Sequence, residues 1–314
     1  MNKDSHIVIV GDNSVEGKAL LGHLQQAGFS EAIGTYAWGL NLLNQSSVKE
    51  FFNKVNPEYV FLMHIKSGGI LANKSYPADF IYSNLQAQSN IIHSAYKNKV
   101  KKLFYLASSC CYPAECAQPM KEDYLLSGKV ERTNEAYAIA KLAGIKMVQA
   151  YAKQYGVDYI TAIPATIYGP GDNFNPESGH VITALIKKFY DAKVNGADEV
   201  IVWGTGLPRR EFIYVDDFIN ACCVLMEKYS SSEIINVGVG YDVSIKELAT
   251  IIAQVVDFKG KIVFDHTKPD GVMQKFLDSE QMKKLNWVPH VALSQGIELT
   301  YNFYKSLSNI NENK

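Results

Sequence analysis

Long apolar runs, a charge excess of either sign, a disulfide framework and internal repeats are all missing from this 314-residue sequence. No stretch approaches the roughly 20 apolar residues of a membrane-spanning helix, so no membrane span is expected. Lys and Arg total 31 against 32 Asp and Glu, and without a basic surplus a nucleic-acid partner is not expected either. The five cysteines, at 110, 111, 116, 222 and 223, have neither disulfide-framework nor zinc-ligand spacing. Met1 to His6 lacks the basic, apolar and small-residue segments of a secretory signal. Together these absences lead to the expectation of a cytoplasmic protein.

What is present is 47% hydrophobic residues, ordinary for a globular enzyme and enough for one large core or two unequal domains. His6 to Val10 is a continuous β-branched run ending at Gly11, followed by a helical pattern through Ala19, Leu20, Leu21 and Leu24. The alternation repeats with strands Tyr59 to Met63, Leu103 to Ala107 and Tyr159 to Ile163, and helices Ala78 to Lys97 and Tyr137 to Tyr155. Strands buried on both faces and separated by helices imply an α/β fold, a doubly wound parallel (Rossmann) sheet. After Pro164 a turn-rich stretch, Tyr168 to Pro176, marks a boundary. We expect a dinucleotide-binding domain over 1–164, with a helix near 215–228 returning to it, and a smaller C-terminal α/β substrate domain over 165–314. In that second part the pattern predicts helices His180 to Ala192 and Ile245 to Val256, and strands Glu199 to Trp203 and Lys261 to Phe264.

A strand ending in Gly11-Asp12-Asn13-Ser14-Val15-Glu16-Gly17 and opening a helix is where backbone N–H groups bind a dinucleotide diphosphate. The spacing is G-x-x-S-x-x-G, with Ser14 where a middle glycine would let the ligand approach. Asp12 and Glu16 put acid into a loop meant for an anion, and Ala37 and Trp38 stand where a residue would choose between NAD and NADP. The plain alternative is that Gly11 and Gly17 only shape a tight turn.

Tyr137 and Lys141, four residues apart, share one helix face, so an ammonium can lie near a phenol and lower its pKa for proton transfer to a carbonyl oxygen. Ser108 lies just past a strand end, where open α/β sheets bind ligands, and can hydrogen-bond that carbonyl. Cys110 adds a thiol able to take a proton from carbon beside a ketone, and His180 an imidazole able to return one. Read alone, an unpaired Cys is usually a small buried hydrophobe and a single His a surface or capping group. Cys111 and Cys116 are read that way.

With these residues in place the sequence strongly resembles the GDP-L-fucose synthases, bifunctional epimerase/reductases of the extended short-chain dehydrogenase/reductase family. The likeness runs nearly end to end. It rests on Ser67 to Asn73, Tyr76 to Ile81, Ala107 to Pro113, Asn134 to Lys141, Tyr168 to Phe174 and Gly179 to Ile182. The resemblance implies a GDP-linked 4-keto-6-deoxy sugar, epimerised at C3 and C5 and then reduced at C4. It assigns Cys110 and His180 to epimerisation and Ser108, Tyr137 and Lys141 to reduction. It implies NADP(H), with NAD(H) not excluded, held by Gly11, Asn13, Ser14, Val15, Gly17, Leu106, Lys141, Pro164, Ile167 and His180. Lys188, Trp203, Arg210 and Asp270 would hold the nucleotide sugar, and a homodimer pairing through helices beside the site is implied as well. No metal is expected.

The departures lie at the cofactor end. Family members usually carry an all-glycine loop and nearby basic residues, where Asn13, Ser14 and Ala37 stand here. Met63-His64-Ile65 replaces the usual small alanines. Three readings follow from this: the epimerase/reductase, or a related deoxyheptose or colitose enzyme; an epimerase with weakened or lost reduction; and a non-catalytic binding subunit.

Overall fold

The computed structural model describes residues 1–176 and 178–312. In the first half, strands β1 (Ile7–Val10), β2 (Ala32–Gly34), β3 (Tyr59–Leu62), β4 (Lys102–Leu106) and β5 (Asp158–Pro164) alternate with helices α1 (Val15–Gln26), α2 (Gln45–Val55), α3 (Ile70–Ser75), α4 (Pro77–Lys97) and α5 (Glu135–Tyr155). β1 and β4 are buried at every residue, which is why their sequences run apolar without alternation. In the second half follow β6 (Thr166–Tyr168), α6 (Val181–Val194), β7 (Glu199–Trp203), β8 (Arg209–Arg210), β9 (Phe212–Tyr214), α7 (Val215–Lys228) and β10 (Ile234–Val237). The chain closes with β11 (Val243–Ser244), α8 (Ile245–Val256), β12 (Lys261–Asp265), β13 (Gln274–Lys275), α9 (Glu280–Lys284) and α10 (Leu293–Glu312).

Six parallel strands form the main sheet in the order β10-β5-β4-β3-β1-β2. The chain leaves β1 for β2 at one edge, then crosses back to β3 on the other side of β1. The C-terminal ends of β1 and β3 therefore border a crevice, the place where open α/β sheets take ligands, and α1 starts there. α7 packs on α1 and β10 completes the sheet, so both elements return to the first half of the chain. The remaining strands make short pairings, β12 with β7, β6 with β9, and β8 between β11 and β13.

α5 carries most of the candidate chemistry and is fixed against α4 and the sheet by a buried polar network. Tyr105 Oη donates to Gln88 Oε1 at 2.8 Å, and Gln88 Nε2 donates to the Ala140 carbonyl at 2.7 Å. Gly144 makes room for it, because a Cβ there would lie 2.2 Å from Tyr105 Oη and 2.8 Å from Gln88 Oε1. Helix propensity alone would make Gly144→Ala stabilising by about 1 kcal/mol. The clash and the broken buried hydrogen bonds reverse the sign, and we expect a loss of about 2–4 kcal/mol. A denaturation midpoint that rises would refute this packing.

Candidate active site

The C-terminal end of β4 and the first turns of α5 supply the central side chains. Ser108, in extended backbone, accepts from Cys110 N at 3.3 Å and starts a 3-10 turn, Ser109–Cys111, that presents the Cys110 thiol. Asn134 Nδ2 donates to Cys110 Sγ at 3.0 Å, and Lys275 Nζ, from β13, lies 3.7 Å from the same sulfur. Burial pushes this thiol up, but the Lys275 ammonium and hydrogen bonds with Ser108 and Asn134 outweigh it and hold Cys110 below the ordinary cysteine value. One residue on, burial pushes Cys111 up to about 12, and Cys116 is raised by the same cause. The dipeptide thus holds one activated and one inert thiol.

Tyr137 is 6% exposed. Burial drives its phenol well above the ordinary tyrosine value, Cys110 and Cys111 push the same way, and a hydrogen bond with Ser108 opposes them. This departs from the expected lowering by Lys141. Lys141 is 1% exposed, and its Nζ donates to the Leu106 carbonyl at 2.8 Å and sits 5.0 Å from the Tyr105 ring centroid. Burial brings its pKa down to about 8. The i,i+4 spacing put the two residues on one face as expected, but the ammonium is anchored on the sheet.

His180 precedes α6 with its side chain 45% exposed and Nδ1 3.6 Å from Asp172 Oδ2. The Asp172 carboxylate, 3.6 Å away, holds the imidazole above the ordinary value against its desolvation, and the charges of Glu16 and Cys110 add to the rise. Ser108 bears on both Cys110 and Tyr137, and the charge of Cys110 is felt at Tyr137 and at His180, while Lys141 is coupled to Cys111 and Glu16.

The acids of the first loop do not point into its mouth, as the sequence had suggested. Asp12 turns to β2, where Oδ1 accepts from Tyr36 N at 2.8 Å and from Thr35 Oγ1 at 3.2 Å. Glu16 turns inward, with Oε1 2.7 Å from His64 Nδ1. Burial would raise Glu16, but the attraction of His64 and hydrogen bonds to it bring the carboxyl down to about 2. The Ser14 hydroxyl accepts from Gly17 N at 3.1 Å, capping α1 from within. Gly11 has φ +84° and a Cβ there would meet the His64 carbonyl at 2.3 Å, so only glycine permits this turn.

A dinucleotide diphosphate fits this edge. α1 begins at the crevice, the loop side chains fold away from it, and His64 Nε2 is a buried polar atom without a hydrogen-bond partner among the described residues. Asn13 is exposed and Val15 half-buried at the helix start, while Leu106 and Pro164 end β4 and β5 and Ile167 follows in β6.

The second half of the chain holds the residues expected to bind the nucleotide sugar. Lys188 Nζ donates to the Ile201 carbonyl at 3.2 Å and lies 4.7 Å over the Trp203 ring, which is 51% exposed. Lys268 approaches the same ring at 5.5 Å. Burial lowers the Arg210 pKa, while the charges of Cys110 and Asp270 act to raise it. Asp270 accepts from Thr205 N at 2.9 Å and Thr205 Oγ1 at 2.7 Å. Asn134, Asp172, Lys275 and the Glu16–His64 pair were not singled out as site residues from sequence. Asn134 stood inside a recognised motif, but Lys275 is 165 residues from Cys110 and no spacing connects them.

Comparison with known proteins points the same way. A profile of the NAD dependent epimerase/dehydratase family matches residues 7–238. GDP-L-fucose synthase 1 of Arabidopsis thaliana is 48% identical over 303 residues, covering 96% of this chain and 94% of the relative. A GDP-6-OMe-4-keto-L-xylo-heptose reductase from C. jejuni superposes with TM-score 0.91 at 33% identity, covering 98% of this chain and 99% of the other. A GDP-L-fucose synthetase from Naegleria fowleri bound to NADP does so with TM-score 0.88 at 27% identity, covering 98% and 96%.

Proposed function

Because the chain belongs to the NAD dependent epimerase/dehydratase family, and within it to the GDP-L-fucose synthases, we propose that it epimerises a GDP-linked 4-keto-6-deoxy sugar at C3 and C5 and then reduces C4. The observation that carries this reading is the Cys110 thiol held by Asn134 Nδ2 at 3.0 Å and Lys275 Nζ at 3.7 Å at the end of β4, on the same edge as Ser108 and the α5 residues Tyr137 and Lys141. The Cys110 thiolate takes the proton from the carbon next to the ketone. The electron pair moves onto the ketone oxygen, which Ser108 and Tyr137 hydrogen-bond, and the His180 imidazolium returns a proton on the opposite face. When bound, a nicotinamide dinucleotide supplies the hydride; kinship indicates NADP(H), and the residues leave NAD(H) open. Tyr137, kept a phenol by burial, donates the proton that the C4 oxygen takes up. Gly11, Asn13, Ser14, Val15 and Gly17 would hold the diphosphate, with Leu106, Lys141, Pro164, Ile167 and His180 along the remaining edge. Lys188 and Arg210 would neutralise the GDP diphosphate, Trp203 would stack on the base, and Asp270 would accept hydrogen bonds from the nucleotide.

The test pairs two readouts with GDP-4-keto-6-deoxy-mannose: deuterium uptake at C3 and C5 from D2O, and dinucleotide oxidation. Absence of both overturns the assignment. Uptake without oxidation selects the second reading, an epimerase without reduction.

Lys275→Met should move the alkaline rise of C–H exchange to higher pH by about one unit, since the thiol loses the ammonium that holds it down. Lys275→Arg should move it back. An unmoved limb would detach Lys275 from the thiol.

A homodimer formed through α4 and α5 is part of the proposal, supported by the exposed Tyr82, Ile139 and Tyr155 on those helices; sedimentation at micromolar concentration tests it. A cytoplasmic setting suits five unpaired thiols.

A further inference from the structure

A dinucleotide lying across the crevice between β1 and β3 brings its adenosine end to the tip of β2, where folds of this kind read whether the ribose carries a 2′-phosphate. A basic residue there neutralises the phosphate, whereas a carboxylate accepts from the free ribose hydroxyls and repels it. In this chain the tip reads Gly34-Thr35-Tyr36-Ala37-Trp38, without Lys or Arg and without an acid of its own.

The carboxylate arrives from the first loop. Asp12, 8% exposed, is fixed at the tip by the Tyr36 N–H at 2.8 Å and the Thr35 hydroxyl at 3.2 Å, both on Oδ1. Oδ2 takes no hydrogen bond from the described residues and packs against Gly34. Gly34 is what admits it, since a Cβ there would stand 2.0 Å from Oδ2. Tyr36, pinned through its backbone N–H, is 71% exposed, and its ring is a surface on which an adenine can stack. Lys54 comes to this segment over the Trp38 ring, 5.1 Å from its centroid, and forms no ion pair with Asp12.

We propose that Asp12 is a cofactor-specificity residue, placed at the tip of β2 to bind the free adenosine ribose, so that this chain favours NAD(H) over NADP(H). The inference rests on the reductase reading above. It also gives a reason for the acidic loop: the charge that sequence reading set against phosphate stands at the ribose.

The experiment is equilibrium titration of the full chain, followed by intrinsic fluorescence, with NADH, NADPH, ADP-ribose and 2′-phospho-ADP-ribose. NADH should bind about tenfold more tightly than NADPH, the size of one close like-charge contact at a partly exposed site. The two fragments should differ by the same ratio. Asp12→Asn keeps an acceptor for Tyr36 and Thr35 and should narrow the ratio. Ala37→Arg, at an exposed position, should shift it toward NADPH even if Asp12→Asn fails to fold. NADPH binding as tightly as NADH, or tighter, overturns the proposal while leaving the reductase reading intact. A ratio unchanged in both variants overturns it as well, and binding of neither dinucleotide overturns both.

Discussion

Cys110→Ser should stop exchange of the sugar C3 and C5 hydrogens with solvent, slowing epimerisation by about 10²–10⁴-fold, while reduction of an already epimerised 4-ketone changes only a few-fold. The reason is ionisation. Asn134, Ser108 and Lys275 hold the thiol below the ordinary cysteine value and so favour its anion, and the same contacts on an alcohol leave it protonated. Deuterium incorporation read by NMR measures the first step apart from the second. Cys111→Ser is the control: its thiol is pushed up to about 12 by burial, so the exchange rate should hold even if stability falls. Equal exchange in Cys110→Ser and wild type would remove the thiol from the mechanism.

Tyr137→Phe should give the complementary result, reduction slowed by about 10²–10⁴-fold with exchange retained. The phenol is buried and hydrogen-bonded with Ser108, and its raised pKa keeps the proton in place across neutral pH. As pH rises, reduction should therefore not lose Tyr137 as an acid until well into the alkaline range. Phe keeps the ring packing, including the edge-on contact with Phe80 at 6.3 Å, so a large loss of stability is not expected. Retention of wild-type reduction, followed as dinucleotide oxidation, would leave the proton donor to another group. A single variant that abolishes both readouts would mean the two half-reactions share one acid/base group.

Much of the fold was legible. α8 and β7 begin and end where the sequence pattern put them, because each carries its own signals: for α8, a Ser244–Glu247 capping box at the start and the left-handed Asp257 at the end. The three-residue β2 and the β10 edge of the main sheet were not singled out. β2 is too short for periodicity to stand out, and β10 joins the sheet only through its pairing with β5 from a distant part of the chain. Ser108, Tyr137 and Lys141 stood out as candidates from position and spacing. Cys110 and His180 rose above their ordinary readings through family resemblance.

The sequence by itself determined the class of chemistry: the parallel sheet, the Tyr137–Lys141 helix face, the serine at a strand end, and a thiol and an imidazole in long motifs. Only the tertiary structure decided which of those groups are charged and where the acids go. Adjacent Cys110 and Cys111 diverge because Lys275, across 165 residues, and Asn134 contact only the Cys110 sulfur, while burial dominates at Cys111. Lys141 anchors on Leu106 and leaves its tyrosine high, while Asp12 and Glu16 leave the phosphate loop for Thr35, Tyr36 and His64. A pKa and the direction of a side chain follow from burial and through-space neighbours, and sequence periodicity encodes only the neighbours along the chain.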